Sequence, residues 1–136
     1  MAELTITAAN VKTLETDSTY LKFVQFGEAV THGQAVYKSS SDNKYYLADA
    51  DSATKPAEAI SLCKASADGY GHVQNGGSID VGATLTVGTS YYAGTTAGAI
   101  GVDADVTSTK FPHFIGIAYS ASRLDLKFIS TGVAKP

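Results

Sequence analysis

The sequence predicts an all-β chain: a β-sandwich, jelly-roll-like or barrel fold of about ten to twelve short antiparallel strands, with no substantial helix. Three observations lead there. From Gly82 to Val102, GATLTVGTSYYAGTTAGAIGV, apolar residues recur two apart and the breaks are Gly and Thr-Ala-Gly, the spacing of strands and tight turns. Small residues fill the chain, and only 17% of it is charged, as in an extended, turn-rich protein. Finally, the chain matches itself at one constant offset, Gly27, Thr31, Gly33 and Tyr37 falling on Gly82, Thr86, Gly88 and Tyr92.

That match runs on without a gap through Thr54-Lys55 on Thr109-Lys110, Ile60 on Ile115 and Gly77 on Gly132. Only about eight of roughly fifty pairs are identical, but glycine falls on glycine and apolar on apolar throughout. The 136 residues are therefore read as a single domain in which 1–25 form an N-terminal arm and lead-in strand, 26–78 a first β-unit and 81–133 a second.

Along the chain, Leu4-Thr-Ile-Thr alternates and is either a first strand or an arm. Tyr20–Phe26 alternates as a strand whose break at Phe23-Val24 suggests a bulge. Gln34–Lys38 and Lys44–Ala48 are strands around the turn-forming loop Ser39–Asn43. Ala57–Lys64 has helix-forming Ala and Glu, yet its aligned copy Pro112–Tyr119 is β-like, so both are read as strands. Tyr70–Gln74 is a strand, and Asn75-Gly76 after it signals a two-residue hairpin because both residues tolerate positive φ. The second unit contributes Thr84–Val87, Thr89–Ala93, Ala99–Val102, Phe114–Tyr119 and Leu124–Ile129.

A net charge of −3, with basic residues scattered singly, argues against a nucleic-acid partner. No apolar run approaches a membrane span. The opening Met1-Ala-Glu-Leu-Thr-Ile-Thr lacks the regions of a secretory signal. The one cysteine, Cys63, lies in an apolar run and reads as a small buried hydrophobe. None of His32, His72 and His113 sits in a catalytic motif, so the chain is read as non-enzymatic.

Asp49 and Asp51, and again Asp103 and Asp105, are alternate carboxylates that could offer oxygens to Ca²⁺, although Asp also simply ends strands and neither copy has a D-x-D-x-D-G loop. Tyrosines such as Tyr37, Tyr45, Tyr46, Tyr91 and Tyr92 pack across strands, and each adjacent pair must split between the two faces of its sheet. A ring left at the surface serves a sugar or a protein contact.

The pattern in Gly27–Tyr37, Lys44–Asp51, Gly82–Tyr92, Phe114–Ala118 and Thr131–Ala134, with the opening Leu4-Thr-Ile-Thr-Ala-Ala, resembles the small capsid decoration (cement) proteins of tailed bacteriophages. The resemblance implies a β-sandwich or jelly roll, made in the host cytoplasm, that sits on the exterior of the virion capsid. There it would bridge neighbouring major capsid protein subunits as a homo-oligomer, a dimer or a trimer, with no catalysis and no cofactor. The contact segments expected are the arm (Leu4, Ile6, Val11), unless it is an edge strand of its own sandwich, and the loop Ser39, Ser40, Ser41, Asp42 and Asn43, unless it is a plain solvated turn. A tail, fibre or other virion module and a carbohydrate-binding β-sandwich are the alternatives.

Overall fold

The structure is a computed structural model and describes residues 3–16 and 19–136. Among them are eleven strands in two antiparallel sheets, an all-β sandwich. The strands are β1 (Val11–Thr13), β2 (Leu21–Gln25), β3 (Ala35–Lys38), β4 (Tyr45–Leu47), β5 (Ala59–Ser61), β6 (Tyr70–Gln74), β7 (Gly77–Val81), β8 (Ser90–Ala93), β9 (Ile100–Val102), β10 (His113–Ala118) and β11 (Leu124–Ser130). Helical structure is confined to the 3₁₀ turns Ala8–Asn10 and Asp103–Asp105.

The five-stranded sheet runs β2-β6-β5-β3-β4 and the six-stranded sheet β1-β7-β11-β10-β8-β9. Without β1, the second order repeats the first strand for strand. Val36 pairs with Leu47 and, at the offset of the sequence repeat, Tyr91 pairs with Val102. The turn geometry recurs at the same interval, with Gly33 (φ +81°) matched by Gly88 (φ +78°) and Asn43 (φ +62°) by Gly98 (φ +81°). Left-handed backbone favours Gly or Asn, which is why these letters align in the sequence.

Pairing alternation assigns every strand residue a face. In the five-stranded sheet Ala35 and Ile60 share one face, and both are fully buried against Ile79, Val81, Tyr91, Ile100, Leu124 and neighbours from the six-stranded sheet. Val36, Ala59, Val73 and Tyr45 point the other way and form a second core with Phe26 and Val30. That core is enclosed because the chain leaving β2 reaches the opposite edge, where Phe26 bridges Tyr45, and crosses back where Val30 bridges Ala65. Ser61 fastens this crossing: its hydroxyl donates to the Thr31 carbonyl and accepts from the Gln34 amide.

The sheets therefore stack back to front. Val36 and Tyr91 occupy equivalent positions, but Tyr91 faces the shared core while Val36 faces away from it. The face that the first sheet buries against the second (Ala35) corresponds to the face that the second turns outward (Ser90, Tyr92).

Several expectations need correcting. The break at Phe23-Val24 is no bulge, since β2 pairs with β6 in unbroken register from Leu21–Gln74 to Gln25–Tyr70. The irregularity falls in β10, between Phe114 and Gly116. Asn75-Gly76 is not a hairpin turn: both edges of β6 are taken by β2 and β5, so the dipeptide carries the chain from one sheet to the other. Thr84–Val87 is not a strand either. Its amides go elsewhere, Leu85 N to the Ala121 carbonyl (2.8 Å) and Thr86 N to the Tyr91 hydroxyl (2.9 Å), and Leu85 is pressed into the core. β1 and β7 are additional strands.

Candidate functional site

The arm lies on its own chain. Leu4 N donates to the Ile100 carbonyl and Thr7 N to the Gly82 carbonyl, each at 2.8 Å, while Leu4 and Ile6 are half-buried against the main core. Val11 pairs with Val81 as the start of β1. This segment seals the seam between the end of β7 and the outer edge of β9. In the first sheet the corresponding carbonyl, Tyr45 O, is taken by Gly27 N (2.8 Å) with no outside help.

The loop Ser39–Asn43 is a tight, internally bonded turn at the exposed end of β3 and β4. Ser39 N donates to Lys44 O (2.9 Å) and Asn43 N to Ser39 O (3.0 Å). Asp42 accepts from Tyr46 OH at 2.6 Å and from Lys44 N at 3.0 Å. These bonds, the phenol's first, hold the Asp42 carboxyl below its ordinary range and raise the Tyr46 phenol above its own. Lys44 is raised by its 2.7 Å bond to Asp68. Ser40 and Ser41 are exposed at the tip.

The acidic pairs do not converge. Asp49 accepts the Asp51 amide (2.9 Å), Asp51 pairs with Lys110 (2.7 Å), Asp103 with Lys135 (3.2 Å), and buried Asp105 accepts the Val102 amide (2.9 Å). No group of three or more His, Cys, Asp or Glu among the described residues is placed to hold a metal ion. Here Asp serves as a short acceptor for turn and edge amides.

His113 is fully buried, held by Ser130 Oγ at 2.9 Å from Nδ1 and by the Ser52 carbonyl at 2.8 Å from Nε2. A carbonyl only accepts, so Nε2 carries the proton that bonds Ser52. The ring thereby ties the 49–56 connection of the first sheet to β10 and β11 of the second. Cys63 is half-buried with its sulfur over Gly71, and burial raises its thiol pKa.

Two exposed patches stand out, and of their residues the sequence pointed only to Tyr92, through the split of the Tyr91-Tyr92 pair between the two faces. At the β2–β6 edge, Phe23 (65% exposed) and Tyr70 (61%) lie with ring planes within 12° and centroids 5.9 Å apart, and His72 meets Phe23 edge-on at 5.1 Å. These residues share the face of Ile60, at a point the second sheet does not cover. The apolar doublet Phe23-Val24 was their only signal: it marks an apolar residue on a solvent face. The second patch is the outer face of the six-stranded sheet. Tyr92 and Phe114 pack edge to face at 5.6 Å beside exposed Ile117 and Ile129, and Arg123 sits 4.4 Å above the ring of Tyr119.

What this arrangement offers chemically is contact: two apolar surfaces on a frame whose carboxylates and buried histidine are engaged in its own hydrogen bonds. No protein-family model, curated protein or solved structure matches the chain.

Proposed function

We propose that this chain is a non-enzymatic virion structural protein, a decoration (cement) protein that binds the outside of a phage capsid and bridges neighbouring major capsid protein subunits. The observation that carries the reading is the exposed cluster of Phe23, Tyr70 and His72 on the rim of a cross-braced sandwich. Aromatic side chains supply much contact area for little lost conformational entropy and are enriched at protein interfaces. The resemblance of the turn and strand motifs to capsid decoration proteins supplies the partner.

The mechanism is linkage. A subunit that binds the assembled shell better than loose subunits stabilises the shell by mass action. Contacts repeated over many copies let each one be weak. The arm with Leu4, Ile6 and Val11 keeps its own seam closed, and Ser39–Asn43 offers a pre-shaped tip as a secondary contact. Purified protein mixed with shells should co-sediment at a fixed ratio to the major capsid protein, and the double variant Phe23→Ala/Tyr70→Ala should bind about tenfold or more weakly. Absence from the shell fraction, or recovery only with tails, overturns the proposal.

A second reading, sugar binding, is favoured by one feature, the near-parallel exposed rings of Phe23 and Tyr70, because aromatic faces stack on pyranose rings. A glycan array separates the two: a saturable hit lost in Phe23→Ala/Tyr70→Ala, without shell binding, would favour the sugar.

A further inference from the structure

We infer that the outer edge of β2 is a docking edge, to which an extended segment of a partner protein adds as a further antiparallel strand carrying an apolar or aromatic residue followed directly by an acidic one. The inference rests on the reading of the Phe23 rim as a protein contact and names the form that contact takes.

The first ground is the main chain of the edge. In an antiparallel pair every second residue turns its amide and carbonyl away from the neighbour. Asn75 N donates to Tyr20 O (2.9 Å) and Phe26 N to Gly69 O (2.8 Å), so Lys22 and Val24 between them direct their groups to β6. Phe23 stands opposite His72, whose carbonyl accepts from Leu62 N (2.9 Å) on the far side. Leu21, Phe23 and Gln25 therefore turn their main-chain groups outward, where none has a hydrogen-bond partner among the described residues. This stretch has no Pro, Gly or bulge, and the open edge ends where Phe26 bridges Tyr45.

The second ground is what the repeat places on such an edge. At the sequence offset Phe23 and Gln25 fall on Ser78 and Asp80 of β7, the strand that holds the place of β2 in the second sheet. There the same outward groups are covered by β1 and the residues after it. Leu14 N donates to Ser78 O (3.0 Å), the Glu15 carboxylate accepts from the Ser78 amide (2.8 Å), and Lys12 lies opposite Asp80. The cover is a short, extended, antiparallel segment. One copy of this edge is thus filled by a strand from the arm, and the other, β2, is open among the described residues.

The third ground is the chemistry beside the edge. A residue of the segment opposite Phe23 lies against its exposed ring, with Tyr70 and His72 behind it, a place for an apolar or aromatic side chain. The next residue along an antiparallel segment falls opposite Lys22, which is exposed on the other face and in no ion pair among the described residues. An acid there sets opposite charges across the ladder, as Lys12 and Asp80 stand across β1 and β7. A lysine within an edge also discourages strands that bring no acid to meet it.

The probe is the capped synthetic peptide Thr-Thr-Val-Phe-Glu-Leu-Thr-Thr, which sets Phe opposite Phe23 and Glu opposite Lys22. Titrated at millimolar concentration into the full-length protein and followed by NMR, it should slow exchange of the Leu21, Phe23 and Gln25 amides about tenfold or more. The peptide with Lys in place of Glu should bind about twofold to fivefold more weakly, and Lys22→Glu should reverse that order. Phe23→Ala should weaken docking, whereas Phe23→Pro, which also removes the outward amide, should abolish it with the same circular dichroism spectrum as Phe23→Ala. Failure of the peptide to protect these amides in the wild type, or equal docking to Phe23→Ala and Phe23→Pro, overturns the inference. Protection that appears without peptide and rises with the protein's own concentration assigns the edge to a second copy and overturns it too. Peptide docking by a protein that ignores capsid shells leaves the inference standing and removes the decoration reading. Shell binding that Phe23→Ala/Tyr70→Ala weakens, with no peptide docking, does the reverse.

Discussion

His113 shows how a polar residue becomes a structural one. Both ring nitrogens are partnered inside the protein, so its removal strands the Ser52 carbonyl and the Ser130 hydroxyl as well as opening a hole. His113→Ala should lower stability by about 2–4 kcal/mol in urea unfolding, and His113→Phe, which fills the volume but pairs with neither group, should still lose about 1–3 kcal/mol. Gly116 is equally constrained: a Cβ there would lie 2.1 Å from the Asp125 carbonyl of the neighbouring strand, so Gly116→Ala should be among the most damaging single substitutions. At the surface, the Asp42–Tyr46 bond fixes the sign of two titrations. The Asp42 pKa is lowered, so its contribution is present above the ordinary carboxylate range and fades as pH falls through the folded value. The Tyr46 pKa is raised, so its contribution is present below the ordinary phenol range and is lost as pH climbs through the folded value. Asp42→Ala should return the Tyr46 titration, followed by NMR, toward that of a free tyrosine. Sequence exposes little at this scale. As letters, Asp105 looks like a candidate metal ligand and His113 belongs to no catalytic motif, and only tertiary placement shows that the partners of both lie in the protein itself.

Among the elements, strands with both a turn signal and clean alternation were legible: β3, β4, β6, β8, β9 and β11 lie within or nearly on their expected spans. The misses share a cause. β7 alternates well, Ser78-Ile79-Asp80-Val81, but follows the Asn-Gly that reads as a hairpin, and local chemistry cannot tell a turn within a sheet from a step between sheets. Thr84–Val87 alternates too, yet its amides are claimed by Ala121 and Tyr91, pairings that alternation alone does not reveal. The contact patches were less legible still, because an apolar residue in a strand reads as core whichever way it faces. The arm yields a prediction at this scale. Leu4→Ala with Ile6→Ala removes two half-buried side chains from the seam, and should lower stability by about 1–3 kcal/mol and speed amide exchange in the strands beside Ile100 and Gly82. Unchanged exchange would mean that the arm does not hold the seam.

For the whole molecule, back-to-front stacking makes the two sheets interdependent. The main core draws Ala35, Ala48 and Ile60 from the first half and Ile79, Tyr91, Ile100 and Leu124 from the second, so both halves lose it when parted and only the smaller core around Phe26 and Val36 lies within one half. Urea unfolding followed by far-ultraviolet circular dichroism and by tyrosine fluorescence should therefore give one coincident transition. Two separated transitions would show that the enclosed core around Phe26 and Val36 survives alone. The repeat that foretold this architecture was readable from glycines and alternation, whereas the sense of the stacking was not, since a face has no label in the letters. The repeat also treats its two outermost ladders alike. Tyr45 O and Ile100 O, equivalent positions of the two units, are both met by main-chain amides, from Gly27 and Leu4, and the amides of Leu47 and Val102 are both met by carboxylates, from Glu28 and Asp105. At these four groups a stranger's strand finds nothing to zip onto. Copies crowded side by side are thus kept from knitting into fibrils along β4 and β9, and association along those two borders is left to side chains.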